Sequence, residues 1–106
     1  MVDFKYNPLP TTLTIQKSKI HGLGLFAKTK LDSGLNFGIS HLRIPILSEL
    51  LRTPLGGFVN HSENPNCILI NRASCWQNFM LYELVTCVEI EKGEELTLKY
   101  SLEQSA

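Results

Sequence analysis

Phe58-Val59-Asn60-His61-Ser62-Glu63-Asn64-Pro65-Asn66 is the stretch that decides how this chain folds. An apolar pair, preceded by Gly56 and Gly57, leads into a polar triplet. Pro65 between two asparagines then marks a turn. A lone histidine in such a place usually serves only the turn. Asn60 and His61, with Asn64-Pro65-Asn66 behind them, bring more hydrogen-bonding groups than a simple turn needs. Asn60-His61-Ser62 is formally a glycosylation sequon, but that matters only in a secreted protein, and nothing else in the sequence points to secretion.

Two further segments flank it. Val88 to Tyr100 (VEIEKGEELTLKY) holds a turn at Glu91-Lys92-Gly93-Glu94 and then a short strand ending on an aromatic hydroxyl. Taken alone, Tyr100 is equally a residue packed at a sheet edge. Toward the N-terminus, Gly22-x-Gly24 follows a strand-like run but opens no helix and lacks the third glycine of a dinucleotide-binding fingerprint. Two glycines so close fit either a plain β-turn or a place where a ligand or strand approaches the backbone.

The rest of the chain reads as short strands and turns. Thr11 to Gln16 (TTLTIQ) is β-branched and alternating, Leu25 to Lys28 resumes an extended pattern, and Leu31-Asp32-Ser33-Gly34 is a turn. Ile44 to Arg52 (IPILSELLR) has room for a short helix capped by Ser48 and stopped before Pro54. Cys67 to Asn71, Phe79 to Ile90 and Leu96 to Tyr100 read as strands. The fold class expected is mostly β with little helix.

The 106 residues, 43% of them hydrophobic, make one domain over 1–106, with residues 1–10 loose around Pro8 and Pro10. No stretch approaches the roughly 18 apolar residues of a membrane-spanning helix. The first residues lack the basic-then-apolar layout of a signal peptide. Ten basic residues balance ten acidic ones, which argues against nonspecific nucleic-acid binding. The charges are segregated, however: residues 1–30 carry five lysines and one aspartate, and residues 83–103 carry six glutamates and two lysines. These are either two solvated faces that attract weakly or an acidic surface for a basic partner. Three cysteines (Cys67, Cys75, Cys87) form no disulfide framework and no four-ligand zinc site, so no metal is expected. They read as reduced thiols of an intracellular protein, cytoplasmic or in a host cell, with Cys67 and Cys87 in core-like apolar runs.

The three segments, in this order, resemble the SET-domain protein lysine methyltransferases. Ser18 to Ala27 is similar to the family's strand–GxG–strand opening. Phe58 to Ser62 with Asn64-Pro65-Asn66 is similar to its NHS…PN motif, and Val88 to Tyr100 to its I-x-x-GEELT-x-x-Y ending. The resemblance implies several small antiparallel sheets with a C-terminal pseudoknot, and S-adenosylmethionine as methyl donor. It implies that His21, Gly22, Leu23, Gly24, Asn60 and His61 bind the donor, the last chiefly through its backbone. It further implies that Tyr100 is catalytic and that Phe58 lies near the lysine channel.

The chain departs from the pattern in four places. Lys99 stands where the family often has aspartate, and Glu63 where it often has a zinc-ligating cysteine. Six residues follow Tyr100, without the segment that commonly closes the channel, and the insert between Gly34 and Gly56 is short. This is a minimal form, similar in size to stand-alone viral and bacterial ones. The partner implied is a protein or peptide lysine, with basic flanks drawn to Glu89, Glu91, Glu94 and Glu95, and a homodimer is the simplest lid for the channel. No direct nucleic-acid or membrane partner is implied. A non-catalytic SET-like binding module and an unrelated small β domain stay open as alternatives.

Overall fold

The computed structural model describes residues 9–44, 50–73 and 80–100. Eight strands run in chain order: β1 (Leu13–Lys17), β2 (Leu23–Ala27), β3 (Asn36–Arg43), β4 (Leu50–Arg52), β5 (Asn60–His61), β6 (Cys67–Ala73), β7 (Met80–Thr86) and β8 (Glu95–Leu98). They form two four-stranded sheets, ordered β1-β2-β8-β5 and β4-β3-β7-β6. Among the described residues there is no helix.

β1 and β2 make a hairpin from Leu13 opposite Ala27 to Lys17 opposite Leu23. Ser18 N donates to Gly22 O at 2.8 Å to close its loop, and Gly22 takes a φ of +48°, where a side chain is disfavoured. β8 then enters between distant partners. It is antiparallel to β2 (Leu25 opposite Leu96) and parallel to β5 (Asn60 opposite Thr97, His61 opposite Leu98). Asn66 latches the arrangement. Its Nδ2 donates to Glu95 O at 2.8 Å, and its Oδ1 accepts from Thr97 N at 2.8 Å. The asparagine of the Pro-Asn pair thus holds the loop after β5 over β8, which forms the C-terminal pseudoknot.

The second sheet is antiparallel throughout. β3 had no signature in the sequence, because its register with β7 shifts between Asn36 and Ile39 and again before His41. Each shift breaks the two-residue period by which a strand is recognised. The helix expected over 44–52 is corrected at its C-terminal end. Leu50–Arg52 is strand β4, paired with His41–Arg43, and Thr53 continues the contact by donating to Ser40 O at 2.9 Å and, through Oγ1, to Ile39 O at 2.8 Å. The free edge of β3 offers three residues a hydrogen-bonded ladder, which overrides weak helix propensity. Ser48 as cap, residues 1–8, Cys75 and Phe79 lie outside the described residues.

β7 stops at Thr86, and the chain touches back at Ile90, whose backbone exchanges hydrogen bonds of 2.7 and 2.9 Å with Leu31. Thr86 Oγ1 donates to Asp32 O at 2.6 Å and accepts from Leu35 N at 2.9 Å, which fixes the turn at Gly34. Because the strand ends there, Cys87 is exposed rather than core, whereas Cys67 is buried. Leu25, Leu31, Leu84, Ile90 and Leu96 are buried at the centre, where the two sheets and the Leu31–Ile90 bridge meet. Lys30 reaches Glu89 at 3.3 Å, so the lysine-rich and glutamate-rich stretches do touch.

Candidate active site

β5 is only two residues long, yet Asn60 within it and Val59 just before it reach two different corners. Asn60, half-buried, points its Nδ2 at the glycine loop, 3.1 Å from His21 O and 3.2 Å from Leu23 O. The same nitrogen lies 2.8 Å from Glu95 Oε2 and 3.1 Å from Ser18 Oγ. Ser18 Oγ in turn donates to the Glu95 carboxylate, 2.8 and 2.9 Å from its two oxygens, and accepts from Ile20 N at 2.9 Å. A Cβ at Gly24 would meet the Glu95 carboxylate, so any larger residue there would have to displace that side chain. With Nδ2 so occupied, Asn60 Oδ1 accepts no hydrogen bond among the described residues. The corner is rich in acceptors, which suits a cationic group.

Val59, the residue before Asn60, serves the other corner. Its carbonyl accepts from the Tyr100 hydroxyl at 2.9 Å. Tyr100 Oη is also 3.1 Å from Nε2 of His41, whose Nδ1 is 2.8 Å from Ser40 Oγ. His41 and Ser40 are both fully buried. Burial, reinforced by the Arg52 guanidinium, pushes the His41 imidazole down to about 4, so it is neutral at physiological pH. Burial also pushes the Tyr100 hydroxyl upward, against a smaller opposing pull from Arg52, so it too is neutral. Arg52 lies over the Tyr100 ring, its Cζ 4.9 Å from the centroid.

His61 is exposed and stacks on Tyr100 with centroids 6.4 Å apart. Its Nδ1 accepts from Tyr100 N at 3.0 Å, which anchors the chain just past β8. Phe58 is 37% exposed and directly precedes Val59. The structure therefore gathers His21, Gly22, Leu23, Gly24 and Asn60 at one corner, and Phe58, His61 and Tyr100 at or beside the other. Of the acidic stretch, Glu95 is absorbed into the Asn60 network and Glu89 pairs with Lys30. Glu91 and Glu94 remain exposed. Cys67 is no nucleophile, since burial pushes its thiol up to about 12.

The family model of the SET domain matches residues 47–101. The chain belongs to the SET-domain family. A candidate histone methyltransferase of Plasmodium falciparum, solved by crystallography, shares the fold with a TM-score of 0.67 at 22% identity, over 89% of this chain and 96% of that one. An apo ctPRC2 assembly with two substitutions in Ezh2 matches with a TM-score of 0.65 at 15% identity, over 89% of this chain and 15% of that one. No curated protein sequence matches the chain.

The motifs contain Ser18 and Val59 without an expected role and Glu95 only as part of the acidic stretch, Arg52 reads only as the end of a short helix, and nothing in the sequence points to Ser40 or His41. Glu95 had a signal: Glu94 and Glu95 lead into β8, and only the second, its first residue, turns inward. His41 had none, because 59 residues separate it from the tyrosine it bonds.

Proposed function

We propose that this SET domain transfers a methyl group from S-adenosylmethionine to the side-chain amine of a lysine in a protein or peptide. One observation carries the reading: consecutive residues Val59 and Asn60 tie together the glycine-loop corner and the tyrosine corner. A donor held at one and an amine presented at the other would meet without further rearrangement of β5.

The acceptor-rich corner would hold the donor's methionine end, with Asn60 Oδ1 and the His21–Gly24 backbone available to accept from its ammonium. The His61 backbone lies on the same strand. When bound, the donor supplies a methyl group made electrophilic by a sulfonium. Everything else falls to the chain. Tyr100 stays a neutral hydroxyl that donates to Val59 O and keeps lone-pair capacity for an amine N–H. It positions rather than deprotonates. Presenting a neutral lysine near pH 7.4 costs about 4 kcal/mol. The fixed Arg52 guanidinium over Tyr100 favours the uncharged amine at that spot by like-charge repulsion. Phe58, ahead of Val59, gives an apolar wall for the lysine methylenes.

The test is transfer of a labelled methyl from S-adenosylmethionine into proteins of a cell extract, with mass spectrometry placing the label. Label on lysine Nζ supports the reading. Donor binding without transfer would make the protein a non-catalytic SET-like binding module, and no donor binding would end both.

A further inference from the structure

We infer that His41 is a positioning residue for Tyr100: a neutral imidazole protonated on Nε2 and locked by Ser40, it fixes the rotation of the tyrosine hydroxyl. Its consequence for turnover rests on the methyl-transfer reading above.

The proton pattern follows from the partners. Tyr100 Oη carries one hydrogen, and Val59 O, 2.9 Å away, can only accept. That hydrogen therefore points at Val59. Oη must then accept from His41 Nε2 at 3.1 Å, so Nε2 carries the imidazole's hydrogen. A neutral imidazole has only one, so Nδ1 is bare and accepts from Ser40 Oγ–H at 2.8 Å. Each polar atom of this buried chain has its partner, as burial demands. The ring also has little freedom to turn away. A Cβ on Gly56 would lie 2.9 Å from His41 Cε1, so that glycine's backbone packs closely against the ring. Ring contact with Tyr100 is edge-on, with centroids 5.7 Å apart.

Without His41, the Tyr100 hydroxyl hydrogen could rotate about the Cζ–Oη bond and be offered elsewhere. With it, the hydroxyl is a donor to Val59, an acceptor from His41, and free only to accept once more. The group it meets must bring a polarised hydrogen, and the hydroxyl cannot donate to an amine lone pair and so blunt it. His41 lies outside the three motifs of the resemblance.

Two experiments decide this. Nitrogen-15 NMR of labelled histidine at neutral pH should show His41 protonated on Nε2 and bare on Nδ1, and Tyr100→Phe should shift the Nε2–H signal while leaving the tautomer unchanged. Methyl transfer by His41→Leu should fall about tenfold in kcat, the worth of one hydrogen bond, with donor Kd and peptide KM unchanged. His41→Gln, which keeps an N–H donor, should recover part of it. A hydrogen on Nδ1, or an Nε2–H signal indifferent to Tyr100→Phe, overturns the inference, as does an equal loss in the Leu and Gln variants. If the wild type transfers no methyl group, the methyl-transfer reading falls and the NMR result alone decides how His41 holds Tyr100. That result also stands if His41→Leu does not fold.

Discussion

Glu63 and Lys99 face each other at the ends of the β5–β8 pair, with Oε2 and Nζ 3.3 Å apart. These are two of the positions at which the chain departs from the motifs of its family, and each has become the other's partner. His61 Nε2 lies 3.6 Å from the other oxygen of the same carboxylate. Lys99 first, and His61 after it, hold the Glu63 carboxyl below its ordinary range. Both side chains are exposed, so the pair is screened and contributes little to stability. Its value is local, since it ties the loop after β5 to the residue before Tyr100. Lys99→Asp should therefore lower the melting temperature slightly at low ionic strength, an effect that shrinks in high salt. Adding Glu63→Lys should restore it. Thermal unfolding at two salt concentrations checks this, and an unchanged double mutant would show that the charges do not couple.

Asn60→Ala removes the side chain that spans the glycine loop and Glu95. Loss of one hydrogen bond to a charged ligand costs about 1.5–3 kcal/mol. Affinity for S-adenosylmethionine should fall at least about tenfold. Calorimetry gives the answer directly, and equal affinities would mean that the corner binds no donor through Asn60.

Tyr100→Phe removes one hydroxyl and leaves two groups without a partner, Val59 O and His41 Nε2. Donor affinity should hold while most turnover is lost. Stability should drop as well, by about 1–3 kcal/mol for a buried donor left unpaired. A variant that methylates at the wild-type rate would return Tyr100 to a packing role.

His41 makes stability depend on pH. Its folded-state pKa, about 4, lies below the ordinary value of 6.5, with burial the main cause and Arg52 the second. Between those values the unfolded chain binds more protons than the folded one, so stability rises with pH. The contribution is fully present above about 6.5 and is lost as pH falls toward 4. The groups facing the imidazole are Ser40, Tyr100 and Arg52, none of which titrates in that window. The whole effect is on the order of 3 kcal/mol at most. Denaturant midpoints from pH 7 downward should fall in the wild type and stay nearly flat in His41→Gln down to the point where carboxylates begin to protonate. Parallel curves would mean that the histidine is not buried.

Much of this was legible before the structure. β1, β2, β6, β7 and β8 follow from β-branched or apolar runs bounded by turns, and the order of three motifs carried the pseudoknot. What failed was β3, and with it β4 and the partners of His41. Asn36 to Arg43 holds a glycine at φ +96°, two register shifts and a buried Ser-His pair, so its pattern matches no period. With β3 unseen, Leu50 and Leu51 had no ladder to join and read as a helix. His41 then had no route to Tyr100. The glycine-loop corner was readable because each of its residues falls inside one of the three motifs. The relay behind the tyrosine was not, because it is assembled only when the second sheet packs against the first.

Gly56 and Gly57 are neighbours in sequence and should behave oppositely. A Cβ on Gly56 would collide with the backbone carbonyl of Ser40 and would press on His41 at 2.9 Å. A backbone atom in a paired strand cannot step aside, so Gly56→Ala should cost about 1–3 kcal/mol, as overpacking does. It should also displace the imidazole and lower turnover beyond what the loss of stability explains. At Gly57 the nearest atoms to a Cβ are Thr53 O at 3.5 Å and Pro54 O at 3.8 Å, which are ordinary contacts. Gly57 has no positive φ to relieve. Gly57→Ala should therefore be neutral, or stabilising by a few tenths of a kcal/mol through a stiffer unfolded chain. Paired thermal and denaturant unfolding of the two variants decides it. If both are tolerated alike, Gly56 does not sit against Ser40 and His41, and the close packing behind Tyr100 is wrong.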